Sequence, residues 1–355
     1  MKKRRKVSFP HLGNYCIPIE VLFTQALDVD YVTPPPITKR TLEIGSMYSP
    51  DFVCSPFKYN LGNYIEAIEK GADTLIQTGG ACRLGYYGEL HSQILKDLGY
   101  KVDFINMAEA DYAKPYTFYN EFKKINPKLS LKKITQTLML VIEMVKVMDK
   151  IEDYIRENVG FEVENGSFDN LHNEFLEELR KVRTKKQLKH LSHDYFKKFK
   201  AIKVDKPKKP LRVGVIGEYY TIMEPFSNHY IEKELAKKGI VITRRMNISN
   251  SFFFREPKEI VTKIKGYLKY DIGATGTDTV KEAIVLAKDG YDGLIHVKAF
   301  GCTPEIDAMP ILQNVSNDYK IPILYFSFDS QTSETGIKTR LEAFYDMIVM
   351  RKEKK

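Results

Sequence analysis

The sequence contains no run of eighteen or more apolar residues, so it offers no helix long and apolar enough to span a bilayer. Its opening, Met1-Lys2-Lys3-Arg4-Arg5-Lys6, leads straight into Val7-Ser8-Phe9-Pro10 without the apolar core of a secretory signal, and a cytoplasmic protein with no membrane association is expected. Cysteine is scarce, with four in 355 residues at wide and irregular spacing. In a reducing compartment that pattern argues against a disulfide framework and for thiols or metal ligands. No C-x-x-C pair is present, which removes the zinc ribbons and the close-set ferredoxin runs. Zinc-finger and helix-turn-helix signatures are missing as well.

What is present fits a soluble globular chain. Apolar residues make up 43% and charged residues 28%, so disorder is not expected, and the length suffices for two domains that each bury a core. The net charge of +9 raises the question of nucleic acid. Much of the excess lies in the first six residues and in residues 180–209, which include Arg183, Lys185, Lys186, Lys189, Lys197, Lys198 and Lys200. These are mainly lysines on helical, solvated surface, and no nucleic-acid partner is expected, the other reading being attraction for the phosphates of a nucleotide-like ligand.

Short apolar runs alternate with amphipathic helical patterns over the first hundred or so residues. Strands are expected at 6–9, 30–33, 51–54, 74–78 and 101–105, with helices at 17–27, 57–70 and 85–98. Gly71 and Gly99 stand as caps after the second and third of these helices. From about residue 112 to 201 the rhythm becomes purely helical, in long segments at 131–158 and 168–200. A charged, proline-bearing stretch at 203–210 reads as a linker. A second α/β region follows, with strands starting at 211 and at 240–244, 293–299 and 322–328, and helices near 228–238, 257–268, 279–288, 305–315 and 336–349. The expected fold class is α/β, with two doubly wound (Rossmann/flavodoxin-like) parallel-sheet domains at 1–110 and 206–355 and a helical insertion at 111–205.

Three of the four cysteines, Cys54, Cys82 and Cys302, fall where an expected strand ends and a helix begins. The carboxyl ends of parallel strands border the crevice where ligands bind, so distant thiols can converge there. Their settings are Val53-Cys54-Ser55-Pro56, Gly79-Gly80-Ala81-Cys82-Arg83-Leu84-Gly85 and Phe300-Gly301-Cys302-Thr303-Pro304. A helix N-terminus supplies N–H groups and positive dipole that stabilise a thiolate, and the glycines leave room for a bulky inorganic group. The competing reading for each is a buried structural cysteine. Cys16, inside the apolar Tyr15-Cys16-Ile17-Pro18-Ile19, reads as a core thiol. Glu218 closes a strand in Gly217-Glu218-Tyr219-Tyr220, where it either binds or protonates substrate or caps the next helix. His11, after the first strand, is a second acid–base candidate. Gly273-Ala274-Thr275-Gly276-Thr277-Asp278 is a weak candidate phosphate loop, since it is not G-x-G-x-x-G.

Taken together, several stretches are recognisable. Pro34-Pro35-Pro36-Ile37-Thr38-Lys39-Arg40-Thr41, Ser49-Pro50-Asp51-Phe52-Val53-Cys54-Ser55-Pro56-Phe57-Lys58, Gly79 to Tyr87, Ala299 to Pro304, and Phe328-Asp329-Ser330-Gln331-Thr332-Ser333 with Thr339 to Phe344 resemble the 2-hydroxyacyl-CoA dehydratase and benzoyl-CoA reductase family, nearest its single-chain branch. The resemblance implies a [4Fe-4S] cluster held by Cys54, Cys82 and Cys302, with the fourth iron left without a protein thiolate. It implies an acyl-CoA substrate and an ATP-dependent iron-sulfur activator protein that delivers a low-potential electron. The electron makes a ketyl radical, after which an otherwise unreactive β-proton can leave. A related branch carries a double-cubane [8Fe-9S] cluster and reduces small molecules; with three matched cysteines, such a cluster would need a dimer or the help of Cys16. A third possibility is a non-catalytic cluster-carrying subunit. Members of the family pair two related subunits, so a homodimer or a heterodimer with a related chain is expected. The activator's own nucleotide motifs are absent.

Overall fold

Short runs of Val, Ile and Leu, each followed by a helical pattern, give parallel strands that helices cover on both faces. The computed structural model describes residues 4–78, 82–107, 115–250, 264 and 266–354. The first sheet contains β1 (Lys6–Ser8), β2 (Asp30–Tyr31), β3 (Thr74–Gln77) and β4 (Asp103–Asn106) in the order β2-β1-β3-β4. The second contains β5 (Leu211–Gly217), β6 (Ile240–Thr243), β7 (Gly293–Ala299) and β8 (Ile323–Phe328) in the order β6-β5-β7-β8. Every pairing between these strands is parallel. Both sheets are therefore wound alike, and the strand order reverses between β1 and β3 in one and between β5 and β7 in the other. The expected α/β class with two doubly wound parallel sheets is what the chain adopts.

The chain divides into two compact units, Met1–Lys146 with Phe175–His193, and Val147–Glu174 with Asp194–Lys355. It passes from one to the other inside helices, in α6 (Leu131–Asn158), α7 (Ser167–Arg180) and α8 (Lys185–Ala201). The helices of residues 115–201 are thus shared between the units. Among the described residues, no helix is long and apolar enough to cross a membrane.

In the first unit, α1 (Cys16–Val21) runs on into a π-helical turn, Leu22–Leu27, then β2. Thr38 caps α2 (Lys39–Tyr48) in a reciprocal box with Thr41, and α3 (Ser55–Glu69) follows after a tight turn. The strand expected at 51–54 does not form. The stretch is a turn between two helices, in which Phe52 is 92% exposed while Val53 and Cys54 pack partly buried against the core. Helix α3 is buried along most of its length, and α2 crosses it at two glycines. A Cβ on Gly45 would lie 1.8 Å from the Lys58 carbonyl oxygen, and one on Gly62 would lie 1.9 Å from that of Thr41. Beside this contact the buried Thr41 hydroxyl donates to Glu66 at 2.8 Å, while Arg40 pairs with Glu66 and Glu69. Helix α4 (Leu84–Asp97) and α5 (Pro115–Ile125) complete this part of the chain.

The single helix expected at 168–200 is two. Thr184 opens the second by accepting the Gln187 N–H, a Thr-x-x-Gln start that the continuous apolar period concealed. In the second unit, the C-terminal end of α6 is fastened by a buried charge network. Arg156 (6% exposed) pairs with Asp153 at 2.6 Å, Glu152 at 3.5 Å and Glu232 at 3.7 Å, while Arg244 (5% exposed) reaches Glu152 and Glu232 at 3.4 Å. The remaining helices are α9 (Tyr219–Met223), α10 (Ile231–Ala236), α11 (Gly276–Lys288), α12 (Thr303–Tyr319) and α13 (Glu334–Glu353). Most of the helix expected at 257–268 lies outside the described residues.

Two substitutions test these contacts. Gly45→Ala places a methyl group against rigid helix backbone and should cost about 3 kcal/mol in denaturant unfolding, whereas an Ala at the open Gly290 strains only its own turn. Arg156→Ala removes one of the network's two guanidiniums while Arg244 still pairs with Glu152 and Glu232, and it should cost roughly 1.5–3 kcal/mol by the same measurement; a loss below about 0.5 kcal/mol would show that the network contributes nothing.

Candidate functional site

In a doubly wound sheet the strand reversal opens a crevice at the carboxyl ends. In the first unit β1 leads there into His11 and β3 leads toward Cys82. In the second, β5 leads into Glu218 and β7 into Cys302. The thiols of Cys54 and Cys82 thus belong to one unit and that of Cys302 to the other.

Cys54 does not follow a strand. It is the N-cap residue of α3, in extended conformation (φ −71°, ψ 157°), with Pro56 in the first turn, where the missing N–H costs nothing. Cys302 occupies the same position on α12 (φ −70°, ψ 100°), with Pro304 in its first turn. Neither side chain hydrogen-bonds its own helix as a cap, and both residues are half-buried. Cys82 lies exposed just before α4, where the Leu84 N–H donates to its sulfur at 3.4 Å. Gly79 and Gly80, expected to leave room beside it, are outside the described residues. All three cysteines therefore stand at the N-terminal end of a helix. Cys16, at the start of α1, is buried. No group of three or more His, Cys, Asp or Glu side chains arranged to hold a metal occurs among the described residues.

Behind Cys54 the first unit places an aromatic and polar cluster drawn from α3, α4 and β3. The Tyr87 hydroxyl lies 3.2 Å from the Cys54 sulfur. Burial, then the neighbouring Cys54 charge, raises the Tyr87 pKa, so the phenol keeps its proton and is able to donate it to the sulfur. His91 is fully buried, stacked on Phe57, with Nδ1 2.7 Å from Gln77 Oε1 and Nε2 3.1 Å from the Phe57 carbonyl oxygen. Burial pushes its pKa down to about 3, and the ring is neutral. Asn63 of α3 accepts the His11 N–H at 2.9 Å and donates to the Pro35 carbonyl at 2.9 Å, so the segment after β1 is held by the helix that carries Cys54.

In the second unit Gly217 ends β5 at φ +135°, and a Cβ there would lie 1.8 Å from the Val297 carbonyl oxygen. Only glycine lets the strand approach β7 so closely. Glu218 follows, and its carboxylate is spent on the cap of α9, accepting from the Tyr220 N–H at 2.8 Å and from the Thr221 N–H and hydroxyl at 2.8 and 2.7 Å. Burial raises its pKa, the cap hydrogen bonds oppose the rise, and Glu305 adds to it. Gly276, in the candidate phosphate loop, serves packing. A Cβ on it would meet the Pro304 carbonyl oxygen at 2.5 Å, so the start of α11 rests on the start of α12.

Three further residues beside Cys302 escaped the sequence reading. His296 and Glu305 are both fully buried, and His296 Nε2 lies 2.7 Å from Glu305 Oε2. Lys298, on the same strand face, is 6% exposed and donates to Ser327 at 3.1 Å. Burial lowers the Lys298 pKa, and the nearby Cys302 and Glu305 charges partly restore it. Their sequence mark is the interruption of an apolar strand by two basic residues in Gly-Leu-Ile-His-Val-Lys-Ala. The His296 Nδ1 and Tyr325 hydroxyl, on ring-paired side chains of neighbouring strands, are buried with no hydrogen-bond partner among the described residues.

Each of the three helix-start cysteines, Cys54, Cys82 and Cys302, also has an exposed aromatic side chain close by in sequence. Phe52 is 92%, Tyr86 82% and Phe300 62% exposed.

No curated protein matches this chain. The sequence model of the 2-hydroxyglutaryl-CoA dehydratase D-component family matches residues 23–348, a span that takes in both parallel sheets beyond β1 and all three helix-start cysteines. With that match running through nearly all of a chain wound as two parallel-sheet units, the protein belongs to the 2-hydroxyglutaryl-CoA dehydratase D-component family.

Proposed function

We propose that this chain is the iron-sulfur component of a 2-hydroxyacyl-CoA dehydratase-type enzyme, with Cys54, Cys82 and Cys302 as the ligands of a [4Fe-4S] cluster. The observation that carries the reading is the family match over residues 23–348 in a chain whose three matched cysteines each stand at a helix N-terminus. The donor set suits the group: three thiols, two of them on proline-started helices where neither serves as a side-chain cap. When bound, the cluster supplies low-potential electron chemistry at an acyl-CoA thioester.

The chain's own residues would then have separable tasks. Tyr87 donates a hydrogen bond to the Cys54 sulfur, and such bonds raise the potential of an iron-sulfur centre. Neutral His91 packs between Gln77 of β3 and the Phe57 carbonyl of α3, donating from one ring nitrogen, without adding a charge. The exposed Phe52, Tyr86 and Phe300 suit the docking of an ATP-dependent activator that hands over the electron. Of the acid–base candidates, Glu218 is supported by its raised pKa at the end of β5 and His11 by its place after β1. Proton transfer at Glu218 requires its carboxylate to release the α9 cap.

Anaerobic purification with iron and sulfide analysis should find one cubane per chain, with an EPR signal on reduction; iron-free protein that still turns over an acyl-CoA would sink the assignment. Cys54→Ser, Cys82→Ser and Cys302→Ser should each lose or degrade the cluster, whereas Cys16→Ser should retain it. Tyr87→Phe should keep its iron but show a lower midpoint potential, and an unchanged potential would remove the proposed tuning. Acyl-CoA thioesters should bind the reduced chain, as read by calorimetry.

A further inference from the structure

We propose that Glu305 is a positioning residue for Cys302, fastening the turn that carries the thiol to two other elements of the second unit, the start of α11 and β7. Glu305 is the third residue of α12, where a glutamate ordinarily reaches back to the N-cap backbone. Here it turns inward and is fully buried. One carboxylate oxygen accepts the hydroxyls of Thr275, just before α11, and of Thr279, in its first turn, the latter at 3.0 Å. The other faces His296 Nε2 of β7 at 2.7 Å. The backbone contact of Gly276 with Pro304 presses the same turn from the α11 side and is independent of these hydrogen bonds.

Stability alone does not call for such an arrangement. A buried carboxylate and imidazole in an apolar sheet can generally be replaced by packed apolar side chains at no loss. What apolar side chains would not supply is direction: three donors fix the carboxylate, the carboxylate fixes the first turn, and the first turn fixes the residue at its N-cap. Lys298, electrostatically coupled to both Cys302 and Glu305, lies on the same strand face as His296.

The functional meaning of this role rests on Cys302 as a cluster ligand, but its test does not. Full-length protein is purified anaerobically, its iron is measured and then removed with a chelator, and peptide-resolved alkylation by iodoacetamide is followed at one pH. Removing the carboxylate takes the acceptor from Thr275 and His296 and leaves the Thr279 hydroxyl with the longer contact to the Gly217 carbonyl at 3.4 Å, so Glu305→Ala should change the Cys302 rate by about fivefold or more. Cys54 should stay within about twofold of its own rate, and amide exchange should quicken across residues 299–306. Glu305→Gln keeps an acceptor for both threonines and can donate to the imidazole in its other tautomer, so it should restore the Cys302 rate. An alanine variant with unchanged Cys302 reactivity, one that disturbs Cys54 equally, or a glutamine variant as perturbed as alanine would each overturn the proposal. Should Glu305→Ala fail to fold, Thr279→Val removes one donor and should give a smaller change of the same kind, confined to Cys302. Absence of iron in the unmodified protein would instead strike at the cluster assignment and leave the alkylation result standing.

Discussion

The first unit depends on how closely α2 can lie against α3. At Gly45 and Gly62 the two backbones touch with no side chain between them, and the buried Thr41–Glu66 hydrogen bond holds that approach in register. Much of what surrounds Cys54 is then set by α3. Its N-terminus presents the thiol, its first turn receives His91 and Tyr87 from α4, and Asn63 in its middle gathers the segment after β1 and the Pro35 loop. A helix buried on nearly every side has little freedom to shift, so the position of Cys54 is inherited from packing about one to three turns along it.

The second unit reaches a similar result with different chemistry. Its strands are wound in the same order, and Glu218 and Cys302 occupy the places beside the strand reversal that His11 and Cys82 hold in the first. Close backbone approach recurs at Gly217 against Val297 and at Gly276 against Pro304. The cysteine-bearing turn, however, is secured through buried polar groups, with Glu305 at their centre, where the first unit uses stacked aromatic rings. One winding thus supports two ways of fixing a thiol at a helix start.

Much of this was legible in the sequence. Parallel strands betray themselves as short apolar runs between amphipathic helices, and 293–299 and 322–328 emerge almost to the residue. Glycine and proline around Cys302 marked its turn correctly. The stretch 51–54 misled because Phe-Val-Cys has strand composition, while its burial depends on α2, whose start at Thr38 lies in a proline-rich segment without an obvious helical period. The break at Thr184 was hidden because a hydrophobic stripe can continue in phase across two separate helices. Glu305 was invisible for another reason: the capping preference of a glutamate at that helical position is local, and only the fold reveals that three donors lie on the other side.

The helical middle of the chain carries a consequence for handling the protein. Each passage between the units occurs within a continuous helix, and the proline- and charge-bearing stretch 203–210, which looks like a seam, lies wholly inside the second unit. Val204 in that stretch pairs with Glu162, and Asp205 donates its N–H to the Phe161 carbonyl. A protease or a cloning boundary placed there would not free one α/β half from the other. It would part the end of α6 and residues 159–161 from α10 and Arg244 of the same unit, so a cut at 203–210 breaks one folded unit instead of separating two.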